Sequence, residues 1–326
     1  LPRERVGPAI VTGLRYVAET PAIRTAVLRS ALFAFGAAAA LALLPLVARD
    51  LLGGGPVIYG VLLGAFGAGA MAGAFLVHPM RHRFGAEPVA TVLTAVFGLA
   101  LLTLGLVPPL PVVMAALAGA GAAWLGSFST FNIAVQTVSA FWVQARVFAL
   151  YQTVMFGSMA LGSWLWGEVA HALGLTTTLL LVGAVMLSSL AASLRWRLPT
   201  GPAPDLRPVP RPPEPAVVLD LDPEEGPVLV QVEYRVKLEH ARAFARAMDE
   251  VGHLRKRNGA SRWGLFQDVT DAEHWVEAFT VASWLDYRRQ TRRATTADAA
   301  IEAGATKYHD GPDPPLLRHM VARRPA

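Results

Sequence analysis

Residues 57–80 run for 24 positions without an Asp, Glu, Lys or Arg. A helix rising ~1.5 Å per residue crosses a ~30 Å hydrocarbon layer in about 20 residues. An uncharged run of this length exceeds what the core of a water-soluble domain needs, so it predicts a membrane-spanning helix. In lipid, helices associate through close packing, and small residues permit the approach. Gly60, Gly64 and Gly67 share one side of this helix, as do Gly69 and Gly73, and all five are expected to pack against neighbours. The run ends at Arg81-His82-Arg83-Phe84-Gly85. The arginines resist entry into hydrocarbon, and the glycine suits a tight turn.

Five further stretches have spanning length: residues 27–47, 89–107, 112–138, 147–173 and 176–194. The distribution of arginine sets their orientation. With the Arg81–Arg83 turn on the cytoplasmic side, Arg3, Arg5, Arg15, Arg24, Arg29, Arg146, Arg195 and Arg197 also fall inside. Arg49, beside Asp50, falls outside. This asymmetry predicts cytoplasmic termini at both ends.

Composition agrees: 53% of residues are hydrophobic and only 16% charged, which excludes a disordered chain. Residues 1–198 carry eleven Lys and Arg against five Asp and Glu, whereas the remainder carries 18 against 19. A nucleic-acid binder concentrates positive charge on its water-exposed part. Here the excess lies among the apolar stretches, so no nucleic-acid partner is expected. The chain has no Cys, which removes disulfides, Cys-ligated zinc and thiol nucleophiles.

Four regions follow. Residues 1–22 form an amphipathic segment with Ile10, Leu14 and Val17 on one helical face, predicted to lie along the membrane or to pack on protein. Residues 23–198 hold the six spans. Residues 199–227 are rich in proline and read as a semi-rigid extended linker. Residues 228–326 read as a water-soluble domain. Val228, Val230, Val232, Tyr234 and Val236 alternate with polar residues in a half-buried strand. A helix over 239–257 carries Phe244, Met248, Val251 and Leu254 on one side. Strands over 260–269 and 273–282 form a hairpin, a helix opens at Ser283 and runs towards Lys307, and a last strand covers 315–323. The order βαββαβ predicts a ferredoxin-like antiparallel sheet covered by helices. The expected fold is thus an all-α polytopic membrane bundle followed by an α+β ferredoxin-like domain.

Tyr59 through Gly73, followed by Arg81-His-Arg-Phe-Gly85, resembles the eighth span and following loop of a major facilitator transporter. The blocks Leu43-Leu-Pro-Leu-Val-Ala48, Ala149-Leu-Tyr-Gln152 and Gly162-Ser-Trp-Leu-Trp-Gly167 resemble the transmembrane secretion effector branch, which includes siderophore exporters. Val232-Glu-Tyr-Arg235 and Arg262-Trp-Gly-Leu-Phe266 are similar to the soluble extension of many bacterial members. The resemblance implies secondary active transport across a bacterial-type inner membrane: proton-coupled efflux of a small organic molecule of drug or siderophore type. That fold has two six-helix halves with the substrate site between them. Residues 1–20 resemble the linker into the second half, so the expected partner is a missing N-terminal half or a second copy. In the family the loop matching Arg81 and Arg83 pairs with acidic residues and locks one state.

Candidate pathway residues are the polar and aromatic groups at lipid depth: Asn132, Gln136, Tyr151, Gln152, Trp124 and Glu168. Their amides and hydroxyl suit a polar substrate in a wet cavity, or equally hydrogen bonds between helices. Glu168, with His171 one turn later, either binds a proton or sits among headgroups. No G-x-S-x-G, P-loop or H-E-x-x-H motif occurs, and the histidines form no ligand set, so neither catalysis, a metal nor a cofactor is expected. An alternative of another class places the function in the soluble domain, as a membrane-anchored sensor or a cofactor-free monooxygenase-like module. Trp263, Phe266, Trp275 and Phe279 would then line a pocket, or else form ordinary core.

Overall fold

A computed structural model describes residues 6–107, 109–199, 203–209 and 217–323. Residues 1–5 of the expected leading segment, and 200–202 and 210–216 of the expected linker, lie outside them. The chain divides into two compact units.

The membrane unit comprises Ala22–Val138 and Phe148–Ala203. Its helices are α2 (Pro21–Leu46), α3 (Pro56–Phe84), α4 (Ala86–Gly105), α5 (Leu110–Thr137), α6 (Gln144–Leu173), α7 (Leu175–Ser188) and α8 (Leu190–Arg195), numbered after a leading helix α1 (Val6–Glu19). A π-helical turn, Val47–Leu51, extends α2. Among the described residues, five segments are long and apolar enough to cross a membrane: Pro21–Leu51, Pro56–Phe84, Ala86–Gly105, Leu110–Thr137 and Leu175–Arg195. The sixth expected span, α6, has 30 residues, but Gln144, Arg146, Gln152, Glu168 and His171 make it more polar than the others.

Backbone proximity dominates the packing here. An added Cβ at Gly69 would strike the Ala118 backbone, and one at Gly121 the Phe66 carbonyl, so α3 and α5 meet main chain to main chain. Gly73 repeats the contact at Ala122. Gly60, Gly64 and Gly67 have no atom near an added Cβ among the described residues and lie on the open side of α3. The two glycine faces are angularly offset along one helix, and only one is turned to α5. Helices α2 and α6 are joined where Trp166 Nε1 donates to the Phe35 carbonyl at 2.9 Å.

The second unit comprises Leu1–Pro21, Ser139–Val147 and Pro204–Ala326. Its sheet has the order β2-β3-β1-β4, with β1 Val228–Arg235, β2 Arg262–Gln267, β3 His274–Val281 and β4 Leu316–Val321, all pairs antiparallel. Val228, Val230, Val232 and Tyr234 of β1 turn inward, as their alternation predicts. The last two strand positions pack with Phe244, Met248 and Val251 of α9 (Ala241–Asn258). Gly259, at φ +128°, ends that helix. The single helix expected after Ser283 is two: α10 (Trp284–Arg293) and α11 (Thr296–Thr306). Thr295 breaks it, because its side chain and that of Asp298 form a reciprocal cap that starts a new helix.

Two segments outside the sheet belong to this unit. Helix α1 belongs to this compact unit, held by Tyr16, which is 1% exposed. Ile10 and Leu14, on the apolar face read from sequence, are exposed. The proline-rich linker is also partly docked. The Arg207 and Asp205 carbonyls accept from Thr296 and Ala297 at 2.9 and 2.8 Å, and Leu221 packs on the sheet's core. These two carbonyls satisfy orphan N–H groups in the first turn of α11.

Candidate functional site

In the membrane unit, Asn132 on α5 and Gln152 on α6 are half-buried, and Asn132 Oδ1 and Gln152 Oε1 lack a hydrogen-bond partner among the described residues. Such oxygens are costly at lipid depth unless water or a ligand reaches them. Tyr151 is fully buried, with its hydroxyl 3.2 Å from Met155 Sδ. Trp124 is half-buried and stacks on Phe33 with ring centroids 6.0 Å apart. Gln136 and Glu168 are exposed. Asn132, Tyr151 and Gln152 do not hydrogen-bond one another, so they form no preassembled cluster.

At the end of α3, Gly85 has φ +86° and donates to the Arg81 carbonyl at 2.9 Å, a backbone state that favours glycine. Arg83 is exposed, with its guanidinium 5.5 Å from the Phe84 ring. Arg81 is half-buried, and its Nε has no partner among the described residues. Neither arginine makes an ion pair among those residues.

A buried ion pair of this unit joins two residues that the sequence reading treated as a topology charge and an unremarked helix start. Arg29 of α2, 6% exposed, binds Glu87 of α4, 14% exposed. The Glu87 carboxylate also accepts from the Leu198 backbone N–H at 2.7 Å and from Thr91 Oγ1 at 3.3 Å. One carboxylate in the first turn of α4 therefore ties α2 and the segment after α8 together, helped by the positive end of its own helix. A signal existed in the sequence: Arg29 and Glu87 are isolated opposite charges beside apolar runs, where burial demands a partner.

In the second unit a cavity of about 360 Å³ opens between the sheet and α9, α10 and α11. Of the four aromatic residues proposed from sequence, only Phe279 lines it. Trp263 packs on the core, the Trp275 ring meets Phe244, and Phe266 is exposed. The polar centre is a network that the sequence reading missed. Glu277 is fully buried and accepts from Arg255 Nε and Trp263 Nε1, each at 3.0 Å. Arg255 also pairs with Glu302. Tyr234 donates to Glu277 at 3.4 Å, and burial, then the nearby carboxylate, holds its phenol well above the usual range. The period-two pattern places Glu277 on the strand, but not its partner, which comes from α9.

The same unit holds α1 and the connection between α5 and α6. The Tyr16 hydroxyl accepts from the Ala140 N–H at 3.1 Å, and its ring meets Trp142 edge-on at 5.6 Å. The Arg257 guanidinium lies 5.3 Å from the Tyr16 ring, and that of Arg293 4.3 Å from Trp142. Arg257 is itself paired with Asp298 of the α11 cap, and Glu19 lies 3.0 Å from His253. Burial raises the Tyr16 phenol, with Arg257 pulling the other way. An aromatic pair and a cation–π contact contribute roughly 0.5–1.5 kcal/mol each. Trp142→Ala should therefore speed amide exchange across residues 139–147 by roughly tenfold or more in the full chain, read by mass spectrometry. Unchanged exchange would show that the aromatic contacts do not hold this connection.

Compared with known families, residues 1–326 match the model described as transmembrane secretion effector. No curated protein matches the chain.

Proposed function

This chain belongs to the transmembrane secretion effector family of the major facilitator superfamily and is a multi-pass membrane protein; from that premise we propose that it forms one half of a proton-coupled exporter of small organic molecules. In this reading α6 is the sixth span, the membrane is a bacterial-type inner membrane, and both termini are cytoplasmic. The other half, a separate six-helix segment or a second copy, completes the substrate site. The open glycine face of Gly60, Gly64 and Gly67 suits such a helix partner. The observation that carries the reading is the pair of unsatisfied amide oxygens on Asn132 and Gln152. Polar groups buried in spanning helices without protein partners are the groups a hydrated pathway or a polar substrate would satisfy. Tyr151, Trp124 and Gln136 complete the proposed pathway, and Glu168 is its candidate carboxylate.

Arg81, Arg83 and Gly85 serve as the topology and gating turn, while Arg29–Glu87 holds the ends of α2, α4 and α8 together as one moving body. The second unit, whose strand order and helices suit the ferredoxin-like class, includes α1 and the α5–α6 connection and fixes the two to each other through Tyr16. No catalytic role is assigned to it.

The test is export from cells that produce the chain together with a six-helix first half, with ethidium as the probe. Export should collapse on adding a protonophore. Asn132→Leu and Gln152→Leu should each lower it about tenfold, the scale of one or two lost polar contacts, with membrane insertion unchanged. Truncation after Pro199 should leave part of it. Export indifferent to both substitutions would overturn the pathway assignment, and retention of all function by residues 228–326 alone would overturn the transporter reading.

A further inference from the structure

The cavity between the sheet and the helices of the second unit has walls that specify an occupant. At about 360 Å³ it falls in the range of small-molecule pockets, roughly 300–1,000 Å³. Val230, Val232, Phe279 and Leu317 supply an apolar floor from three strands. Each charge on the walls already has a partner of opposite sign. Arg255 is held by Glu277 and Glu302, and Asp298 by Arg257 and the Thr295 N–H. An anionic ligand would surrender its hydration here and face one more carboxylate than guanidinium, and a cation would have to compete with Arg255 for carboxylates it already holds.

One wall group is left wanting. Gln290 of α10 is 6% exposed and lines the cavity, and its Oε1 has no hydrogen-bond partner among the described residues. Buried amide oxygens in folded proteins are nearly always satisfied, by protein, water or ligand. The Tyr234 hydroxyl, donating to Glu277, keeps acceptor capacity on the same cavity.

We propose that this cavity is a binding site for a small, uncharged, largely apolar molecule of aromatic-ring size, carrying at least one O–H or N–H that Gln290 accepts. The site goes beyond the transport reading and does not depend on it.

The test uses the full chain in lipid nanodiscs, with 2-naphthol as the uncharged probe and 2-naphthoate as its charged counterpart. Binding is followed by ligand-observed saturation-transfer NMR against empty nanodiscs. Saturable 2-naphthol binding is expected, with 2-naphthoate at least tenfold weaker. Gln290→Met, which keeps the volume and removes the acceptor, should weaken 2-naphthol about tenfold. Ala299→Trp, which fills the cavity from α11, should abolish binding. The Gln290 variant, checked for native amide exchange in β1, keeps the test decisive if the bulkier substitution perturbs folding. Absent saturable binding, equal affinity for the two probes, or full affinity in either variant would overturn the proposal.

Discussion

Glu87→Ala should lower the stability of the membrane unit by about 3–5 kcal/mol, because it strands the Arg29 guanidinium in a site only 6% exposed. The loss has three parts. The ion pair disappears, the Leu198 N–H loses its acceptor, and a buried cation remains with no counter-charge. The double substitution Arg29→Met/Glu87→Leu should recover most of this, since two apolar side chains of similar volume remove the desolvation cost as well as the attraction. Thermal unfolding in detergent, monitored by tryptophan fluorescence for the single and double variants, measures both values. A single variant within about 1 kcal/mol of the unsubstituted chain would show that water reaches the pair and screens it.

Glu277→Ala should be comparably damaging to the second unit, again by about 3–5 kcal/mol. Glu277 is fully buried in the middle of β3 and receives three side chains, Arg255, Trp263 and Tyr234. Glu302 continues to compensate Arg255 electrostatically, which sets the expected loss nearer the lower end. The Trp263 N–H and the Tyr234 hydroxyl nevertheless lose their acceptor. Glu277→Gln separates charge from hydrogen bonding: it keeps an acceptor of the same shape and should cost less than alanine. Amide exchange of β1 and β3 in the full chain reads the effect. Equal protection in Glu277→Ala and the unsubstituted chain would mean that the network is not part of the folding core.

Much of the fold was legible in the order of residue types. The uncharged run at 57–80 required a spanning helix, since no other arrangement satisfies its backbone in lipid, and α3 occupies Pro56–Phe84. The alternation in β1 declared which side chains turn inward, and Asn258-Gly259 marked where α9 stops. The break between α10 and α11 was present in Thr295 and Asp298, but a continuing helical pattern hid it. The candidate site was less legible. Asn132 and Gln152 stand out in any apolar stretch, yet their lack of partners depends on which atoms surround them.

Local patterns determined what this chain is made of: spanning helices, a basic turn at Arg81–Gly85, and a mixed sheet-and-helix unit after residue 228. These depend on periodicity, charge and caps, which act over a few residues. Tertiary structure alone decided which glycines touch, that Glu87 answers Arg29, that Glu277 collects Arg255, and that Tyr16 and Trp142 share one cluster. Those pairings join residues 22 to 126 positions apart. Burial makes an unpartnered charge or hydroxyl expensive, but it does not say from which distant segment the partner must come.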